Sequence, residues 1–348
     1  MDGALTLKAT RRVNLALQGG GAHGAFTWGV LDRLLEENSL EISAISGTSA
    51  GALNGAALKA GLIAGGRVAA RARLDRLWDQ VGAIGDFRMI PWLQPFLPAI
   101  HFWQEAAAAV LPVSPQSLSA ALYSPYVWGD SWQNPLESVV RDLDFAQVCA
   151  GEGPRLFVSA TNVRTGKIKV FDGQSITPEA LMASACVPTV FQAVEIGGEA
   201  YWDGGYAGNP ALFPLYEPDL PEDVLVVSIN PLRRETVPES PLDIQNRINE
   251  ISFNASLLGE LRAINFVRRL IAEGRMDKGR MKEVRVHMIA DDGLMNDLSA
   301  STKLVSSPLL LDRLKKAGRA AADRFLAEDA KRIGQEPGVD LQGLLTRD

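Results

Sequence analysis

Gly47-Thr48-Ser49-Ala50-Gly51 lies between an apolar run typical of a strand, residues 41–46, and an alanine-rich run typical of a helix, residues 52–60. A G-x-S-x-G sequence in this context is typical of the nucleophile elbow, where small flanking residues let a strand turn sharply into a helix. We therefore predict that Ser49 is a nucleophile with its hydroxyl at a helix N-terminus, where the helix dipole favours a developing anion. Gly61 is expected to end the helix. The alternative is a serine in an ordinary turn between a strand and a helix.

A glycine-rich loop precedes this motif. The apolar run 13–17 predicts a strand, and it is followed by Gln18-Gly19-Gly20-Gly21-Ala22-His23-Gly24 and then by a helical pattern. Consecutive glycines let backbone N–H groups converge on one point and bind an anion. In an acyl-transfer enzyme this loop would form the oxyanion hole, together with the N–H of Ala50.

The same loop also fits the G-x-G-x-x-G fingerprint of dinucleotide-binding proteins through Gly19, Gly21 and Gly24. That fingerprint requires an acidic residue at the end of the second strand to bind the ribose. Here the second strand ends at Ser46, and its acidic residue, Glu41, stands at its beginning. The pattern therefore favours the oxyanion interpretation over the nucleotide one.

A serine nucleophile needs a base, and the chain has three histidines for this role: His23, His101 and His287. His101 lies in an aromatic stretch that indicates a surface or lid position, and His287 lies inside an apolar strand pattern. A better candidate is Asp203, which follows a predicted β-hairpin over residues 194–201 and precedes two glycines.

The three blocks Gly-Gly-Gly-Ala-His-Gly, Gly-Thr-Ser-Ala-Gly and Asp-Gly-Gly resemble, in this order and separation, those of the patatin-like phospholipase family. Residues 183–191 also resemble the segment before the catalytic hairpin in that family, and the resemblance covers residues 13–62 and 154–215. It implies a Ser-Asp dyad that works without histidine. The residues it implies are Ser49 as nucleophile, Asp203 as base, Gly19, Gly20, Gly21 and Ala50 as the oxyanion hole, and Gly24, Gly47, Gly51, Gly204 and Gly205 as structural support for the motifs.

His23 departs from the family pattern, which commonly has arginine or lysine at that position. We expect its side chain to line the oxyanion loop or to cap the first helix. Because imidazole titrates near neutral pH, its protonation would make the activity sensitive to pH.

The expected fold is α/β, a three-layer α/β/α patatin-like sandwich with a mostly parallel central sheet. We expect a catalytic core over residues 13–215, which includes an aromatic and proline-rich insertion over 78–135. That insertion is interpreted as a cap or lid, the alternative being that its aromatic residues complete the core. Residues 216–335 would add strands and long helices to the same domain, and 336–348 would form a flexible tail.

Composition excludes several classes of function. With 35 basic and 41 acidic residues and no basic run, a nucleic-acid partner is not expected. The two cysteines, Cys149 and Cys186, give no disulfide framework, and no cluster with metal-ligand spacing appears, so neither a metal nor a cofactor is expected. No signal peptide is recognised and no apolar run reaches about 18 residues. We expect a cytoplasmic protein with peripheral contact at the inner membrane surface.

The resemblance implies a lipid acyl hydrolase that cleaves esters of phospholipids or lysophospholipids through an acyl-enzyme on Ser49. An acyltransferase, a thioesterase or a storage-polyester depolymerase would use the same residues. An alternative of another class is a non-catalytic protein that binds lipid surfaces or acts as a scaffold.

Overall fold

The computed structural model describes residues 10–84, 125–126, 134–188, 190–277, 279–298, 300–303 and 306–346. Most of the insertion predicted to be a cap lies outside these ranges, together with His101.

An eight-stranded, mostly parallel sheet forms the centre of the molecule. Its strands are β1 (Arg11–Leu17), β2 (Leu40–Thr48), β3 (Arg155–Asn162), β4 (Ile168–Asp172), β5 (Val194–Ile196), β6 (Glu199–Asp203), β7 (Asp223–Val227) and β8 (Arg285–Ile289). Their order is β5-β6-β3-β2-β1-β7-β8, and β4 also pairs with β3. The pairs β1–β2, β1–β7, β2–β3 and β7–β8 are parallel, whereas β4, β5 and β6 pair in the antiparallel sense.

Helices cover both faces of this sheet. They are α1 (Gly24–Leu34), α2 (Ala50–Ile84), α3 (Leu136–Arg141), α4 (Phe145–Val148), α5 (Pro178–Ser184), α6 (Pro241–Ala272), α7 (Asp292–Asp297), α8 (Pro308–Glu328) and α9 (Leu341–Thr346). One apolar cluster joins one face to α1, α2 and α8, and a second joins the opposite face to α6 and α9. Along β1, Leu15 belongs to the first cluster and Ala16 to the second, because successive side chains point to opposite faces. The predicted three-layer α/β/α fold is confirmed.

Helix α2 continues past Gly61 to Ile84, so the prediction that Gly61 ends it is wrong. A side chain at Gly61 would collide with the backbone of Ala70, so this glycine permits a close contact between the two halves of α2. The interruption lies instead at Gly65 and Gly66, whose backbone angles are not helical.

Trp78, the first aromatic residue of the predicted insertion, lies on α2 and belongs to the core. It is 3% exposed, stacks on Trp28 with ring centroids 6.3 Å apart, and donates a hydrogen bond to the Asn54 side chain at 2.8 Å. For this residue the structure agrees with the alternative in which the aromatic side chains complete the core.

The C-terminal residues differ from the flexible tail that the sequence predicts. Residues Leu341–Thr346 form α9, and Leu341 is buried in the cluster that contains α6 residues. This apolar contact gives the segment a defined position on the domain.

None of the helices within the described ranges has the length and apolar character that crossing a bilayer requires.

Candidate active site

The register of the sheet brings the ends of β2 and β6 together. Strand β4 pairs with residues 157–161 along one edge of β3. Because that edge is occupied, β2 and β6 both pair with the opposite edge of β3. On that edge Thr48 of β2 is paired with Ser159, and Asp203 of β6 is paired with the next residue, Ala160. Ser49 and Asp203, which are 154 positions apart in sequence, are thereby placed at the same point of the sheet.

Ser49 occupies a strained turn between β2 and α2. Its φ is 55°, and among the described residues it is the one non-glycine residue with a positive φ. Such a conformation costs about 1–3 kcal/mol and is held by its surroundings. Here the Ser49 N–H donates to the Ser184 hydroxyl at 2.9 Å, and the N–H groups of Ala52 and Leu53 donate to its carbonyl. This is the backbone geometry expected of a nucleophile elbow.

Small residues surround the elbow because other backbone segments approach it closely. A Cβ on Gly47 would lie 2.6 Å from the Gly51 carbonyl oxygen, and one on Gly51 would collide with the Leu17 carbonyl. The end of β1, the end of β2 and the first turn of α2 can therefore meet only if both positions are glycine.

Asp203 is a buried carboxyl group. Its Oδ1 accepts a hydrogen bond from the Gly205 N–H at 2.8 Å, and its backbone N–H donates to the Cys186 carbonyl at 2.8 Å. Burial raises the pKa of Asp203 to about 7, although the Gly205 N–H and the Ser49 hydroxyl both lower it. Oδ2 has no partner of good hydrogen-bond geometry among the described residues. The Ser49 hydroxyl is therefore close enough to influence the carboxyl group without forming a well-aligned hydrogen bond to it.

The glycine-rich loop lies against Ser49, since a Cβ on Gly19 would lie 2.6 Å from the Ser49 Cβ. The Gly19 N–H, however, donates to the Asn209 Oδ1 at 2.6 Å, so this predicted oxyanion donor is already engaged. Gly20 precedes a 3₁₀ turn that begins at Gly21, and Ala50 is the first residue of α2. The N–H groups at the beginning of a helix have no intrahelical acceptor, which leaves Gly21 and Ala50 suited to bind an anion.

The remaining predicted glycines lie at close contacts around the same point. Gly24 packs against the Ala50 side chain, Gly204 against the Ser159 carbonyl, and Gly205 against the ring of Phe253.

Buried amide side chains that the sequence analysis missed hold the glycine-rich loop. Asn209 brackets Gly19, because its Oδ1 accepts from the Gly19 N–H and its Nδ2 donates to the Gly19 carbonyl at 3.3 Å. Asn230 Nδ2 donates to the same carbonyl at 2.8 Å. Gln18 Oε1 accepts from the backbone N–H groups of Ile229 and Asn230 at 2.8 and 3.1 Å. Single amide residues in loops are typical of turns, so their sequence pattern alone could not have identified this network.

Ser184 is a further site residue that the sequence analysis did not name. It lies at the end of α5, within the segment 183–191 that resembles the family, and its side chain is fully buried. That resemblance was the one signal that could have identified it.

His23 is buried beside the loop but does not act as a pH sensor. Its Nε2 lies 2.8 Å from the Thr302 hydroxyl, and its side chain makes no capping hydrogen bond to α1. Burial lowers the pKa of His23 to about 3, and Lys303 lowers it further against the opposing effect of Glu250. The imidazole is therefore neutral near pH 7, and it cannot provide the pH sensitivity that the sequence suggested.

His287 lies on β8, as the sequence predicts, and it is fully buried, with its Nε2 2.9 Å from the Asp223 carboxylate. Within the described ranges, no group of three or more histidine, cysteine, aspartate or glutamate side chains is arranged to hold a metal ion.

Comparison with protein families identifies one model, described as patatin-like phospholipase, that matches residues 15–216. No curated protein matches the chain. Among solved structures, the chain is similar to VipD from Legionella pneumophila, with 16% identity, a TM-score of 0.40, and coverage of 92% of this chain and 67% of that chain. It is also similar to the heterodimeric ExoU–SpcU complex from the type III secretion system of Pseudomonas aeruginosa, with 15% identity, a TM-score of 0.36, and coverage of 94% and 53% respectively. The chain thus spans about half the length of the second structure.

Proposed function

This chain belongs to the patatin-like phospholipase family, and we propose that it hydrolyses carboxylic esters of lipids with Ser49 as nucleophile and Asp203 as general base. The observation that best supports the proposal is the register of β3, in which Thr48, the residue before the strained Ser49, pairs with Ser159 and Asp203 pairs with the adjacent Ala160.

The pKa of Asp203 suits the role of a base. A general base works best when its pKa lies near the operating pH, because it is then ionised and still able to hold a proton. Burial raises the Asp203 pKa from the ordinary value of 3.8 to about 7. An exposed aspartate would be a far weaker base, so burial gives this carboxylate the basicity that the reaction needs.

In the proposed reaction Asp203 accepts the Ser49 hydroxyl proton while the serine oxygen adds to the ester carbonyl. The N–H groups of Gly20, Gly21 and Ala50 stabilise the oxyanion of the tetrahedral intermediate. When the intermediate collapses, the ester C–O bond breaks and Asp203 returns the proton to the leaving alcohol. Water then adds to the acyl-enzyme and gives a proton to Asp203, and that proton goes back to Ser49 as the fatty acid leaves.

The proposed substrates are phospholipids or lysophospholipids, in keeping with the family. A thioesterase, an acyltransferase or a storage-polyester depolymerase would use the same dyad and would differ only in the acyl donor or acceptor. We also propose a cytoplasmic enzyme that makes peripheral contact with the inner membrane surface, where such substrates lie.

The test combines labelling by a fluorophosphonate, which reacts with activated serines, with measured release of fatty acid from phospholipid vesicles. We expect wild type to be labelled and active, Ser49→Ala to lose both properties, and Asp203→Asn to lose about 100- to 10,000-fold in turnover. Ser43→Ala on the same strand and Asp219→Asn, whose carboxylate is 70% exposed, are the matched controls.

Near-normal turnover by Asp203→Asn would overturn the dyad. A wild-type protein that binds vesicles but is neither labelled nor active would favour the non-catalytic alternative.

A further inference from the structure

The 3₁₀ turn Ala300–Lys303 covers the glycine-rich loop, although it lies far outside the residues that match the family model. Gly21 has a φ of 59°, and a side chain there would collide with the Lys303 carbonyl oxygen. Two positions further on, the His23 imidazole meets the Thr302 hydroxyl. The loop and this turn are therefore in direct contact.

The Lys303 side chain connects this turn to the loop a second time. Its Nζ donates to the Asn230 Oδ1 at 3.3 Å and to the Glu250 Oε1 at 3.0 Å. Asn230 in turn donates from Nδ2 to the Gly19 carbonyl at 2.8 Å. Because an amide group is planar, the contact of Lys303 with Oδ1 helps to fix the direction in which Asn230 presents Nδ2 to Gly19, together with a 3.4 Å contact from Nδ2 to Gln18 Oε1.

Glu250 anchors the lysine. Its side chain on α6 is fully buried and also contacts Arg234 at 2.7 Å and Arg247 at 3.2 Å. Burial tends to raise its pKa, but Arg234 and Lys303 outweigh that effect and lower the pKa to about 2. The carboxylate is therefore ionised near pH 7, and the basic side chains of Arg234, Arg247 and Lys303 surround it. Burial lowers the pKa of Lys303, and the contact with Glu250 opposes that effect. The excess of positive charge around Glu250 lies next to the loop at which the proposed reaction develops a negative charge.

A buried ionic cluster of this kind is weak evidence for stability, because desolvation of the charges offsets much of their attraction. The position of the cluster beside the glycine-rich loop points instead to a role in orienting that loop. An amide that is to stabilise an oxyanion must be oriented before the reaction begins, since reorientation during the reaction would raise the barrier.

We propose that Lys303 is a positioning residue for ester hydrolysis, which fixes the glycine-rich loop through Asn230 and adds positive charge beside the oxyanion. This inference rests on the proposed function of Ser49 and Asp203. It deepens that function by assigning a role to a residue outside the matched part of the chain.

The test measures kcat and KM on a short soluble ester for Lys303→Met, Lys303→Arg and Asn230→Asp. Lys303→Met keeps an unbranched side chain that is one heavy atom shorter and removes the charge, and Lys303→Arg restores the charge. Asn230→Asp retains an acceptor for the lysine but cannot donate to Gly19. The control is Lys316→Met on α8, which removes an exposed ion pair with Asp312.

Removal of one oxyanion donor slows catalysis by roughly 100- to 1000-fold, so misplacing the loop should cost somewhat less. We expect kcat to fall about 10- to 100-fold in Lys303→Met and in Asn230→Asp, with KM changed less than twofold. Lys303→Arg should recover most of the loss, and the control should match wild type. The rate of fluorophosphonate labelling should fall in parallel with kcat, because phosphonylation of Ser49 uses the same loop.

Each variant is first shown to be folded at the assay temperature by its denaturation midpoint. Unchanged kcat in folded Lys303→Met would overturn the role of the lysine while leaving the Ser49 hydrolase in place. If Lys303→Met does not fold, Asn230→Asp decides the matter, because unchanged kcat there removes the link between the lysine and the loop. A rise in KM alone would also contradict the proposal. A wild-type enzyme without Ser49-dependent activity would overturn the proposed function and this inference with it.

Discussion

Replacing Asp203 by asparagine should make the folded protein more stable at pH 8 even though it removes the proposed base. When folding raises the pKa of a carboxyl group, there is a pH range in which that group ionises in the unfolded chain but stays protonated in the folded one. In that range the unfolded state is favoured, so the free energy of unfolding falls. Below pH 3.8 both states hold the proton and there is no effect. Between pH 3.8 and about 7 stability falls as pH rises, and above about pH 7 the loss is complete.

The magnitude follows from the shift of the Asp203 pKa from 3.8 to about 7. At 1.36 kcal/mol per pKa unit, the ionised carboxylate lowers the free energy of unfolding by about 4 kcal/mol at pH 8. At pH 5 the same linkage gives a loss of only about 1.5 kcal/mol. Asparagine does not titrate, so the gain on substitution should be about 2.5 kcal/mol larger at pH 8 than at pH 5.

The assay is urea unfolding of wild type and Asp203→Asn at both pH values. The difference in free energy of unfolding between the variant and wild type is compared at pH 5 and at pH 8. Any effect of the amide that does not depend on pH, such as an unsatisfied N–H group beside Gly205, cancels in this comparison. Asp219→Asn, at an exposed carboxylate, should show no such dependence on pH. If the stability difference between wild type and Asp203→Asn is the same at pH 5 and pH 8, Asp203 does not have a raised pKa and its proposed role as a base loses its support.

Three further predictions follow from the same geometry. The proposed base predicts that kcat/KM on a soluble ester rises about tenfold per pH unit below pH 7 and is level above it, since only ionised Asp203 accepts the proton; a flat profile from pH 5 to 8 would contradict this. Ser184→Ala removes the acceptor of the Ser49 N–H, and an unsatisfied buried donor costs about 1–3 kcal/mol, so kcat should fall about tenfold with little change in KM. Ser184→Thr keeps a hydroxyl acceptor and should retain most of the activity. Gly259→Ala, at an exposed helical position with no atom within 4 Å of the added Cβ, should raise the free energy of unfolding by about 0.5–1 kcal/mol, and an unchanged urea midpoint would refute it.

Local backbone chemistry made part of this molecule predictable. The elbow at Ser49 follows from glycine spacing between a strand pattern and a helix pattern, because few other sequences can turn so sharply. The β5–β6 hairpin follows from Gly197 and Gly198, which both have positive φ in the structure. Each of these features depends on residues that are close together in the chain.

Contacts between distant segments were not predictable from the same patterns. Gly61 looked like the end of a helix, yet the space it leaves is filled by the backbone of Ala70. Trp78 looked like the first residue of an aromatic cap, yet its partners are Trp28 and Asn54 in the core. In both cases the residue type fits two roles, and the choice between them depends on which segment packs against it.

The residues around the glycine-rich loop show the same limit most clearly. Asn209 and Asn230 reach Gly19 across separations of 190 and 211 positions, and Lys303 reaches Asn230 across 73. A single asparagine or lysine in a loop has no periodicity that reveals its partner. Only the folded sheet, in which β1 lies between β2 and β7, brings these side chains to one place.

The two features on which the proposed reaction depends, the strained Ser49 and the buried Asp203, are both unfavourable for folding. The strain at Ser49 costs about 1–3 kcal/mol and ionised Asp203 about 4 kcal/mol, a large share of the 5–15 kcal/mol by which proteins are usually stable. Strand β7 is paired with β1 over residues 224–227, directly beside the glycine-rich loop, so the segment that follows residue 216 completes the centre of the sheet. Without it β1 would be an edge strand, and the carbonyl of Gly19 would lose its bond to Asn230. The physical unit that holds the proposed dyad is therefore larger than the part of the chain that carries its motifs.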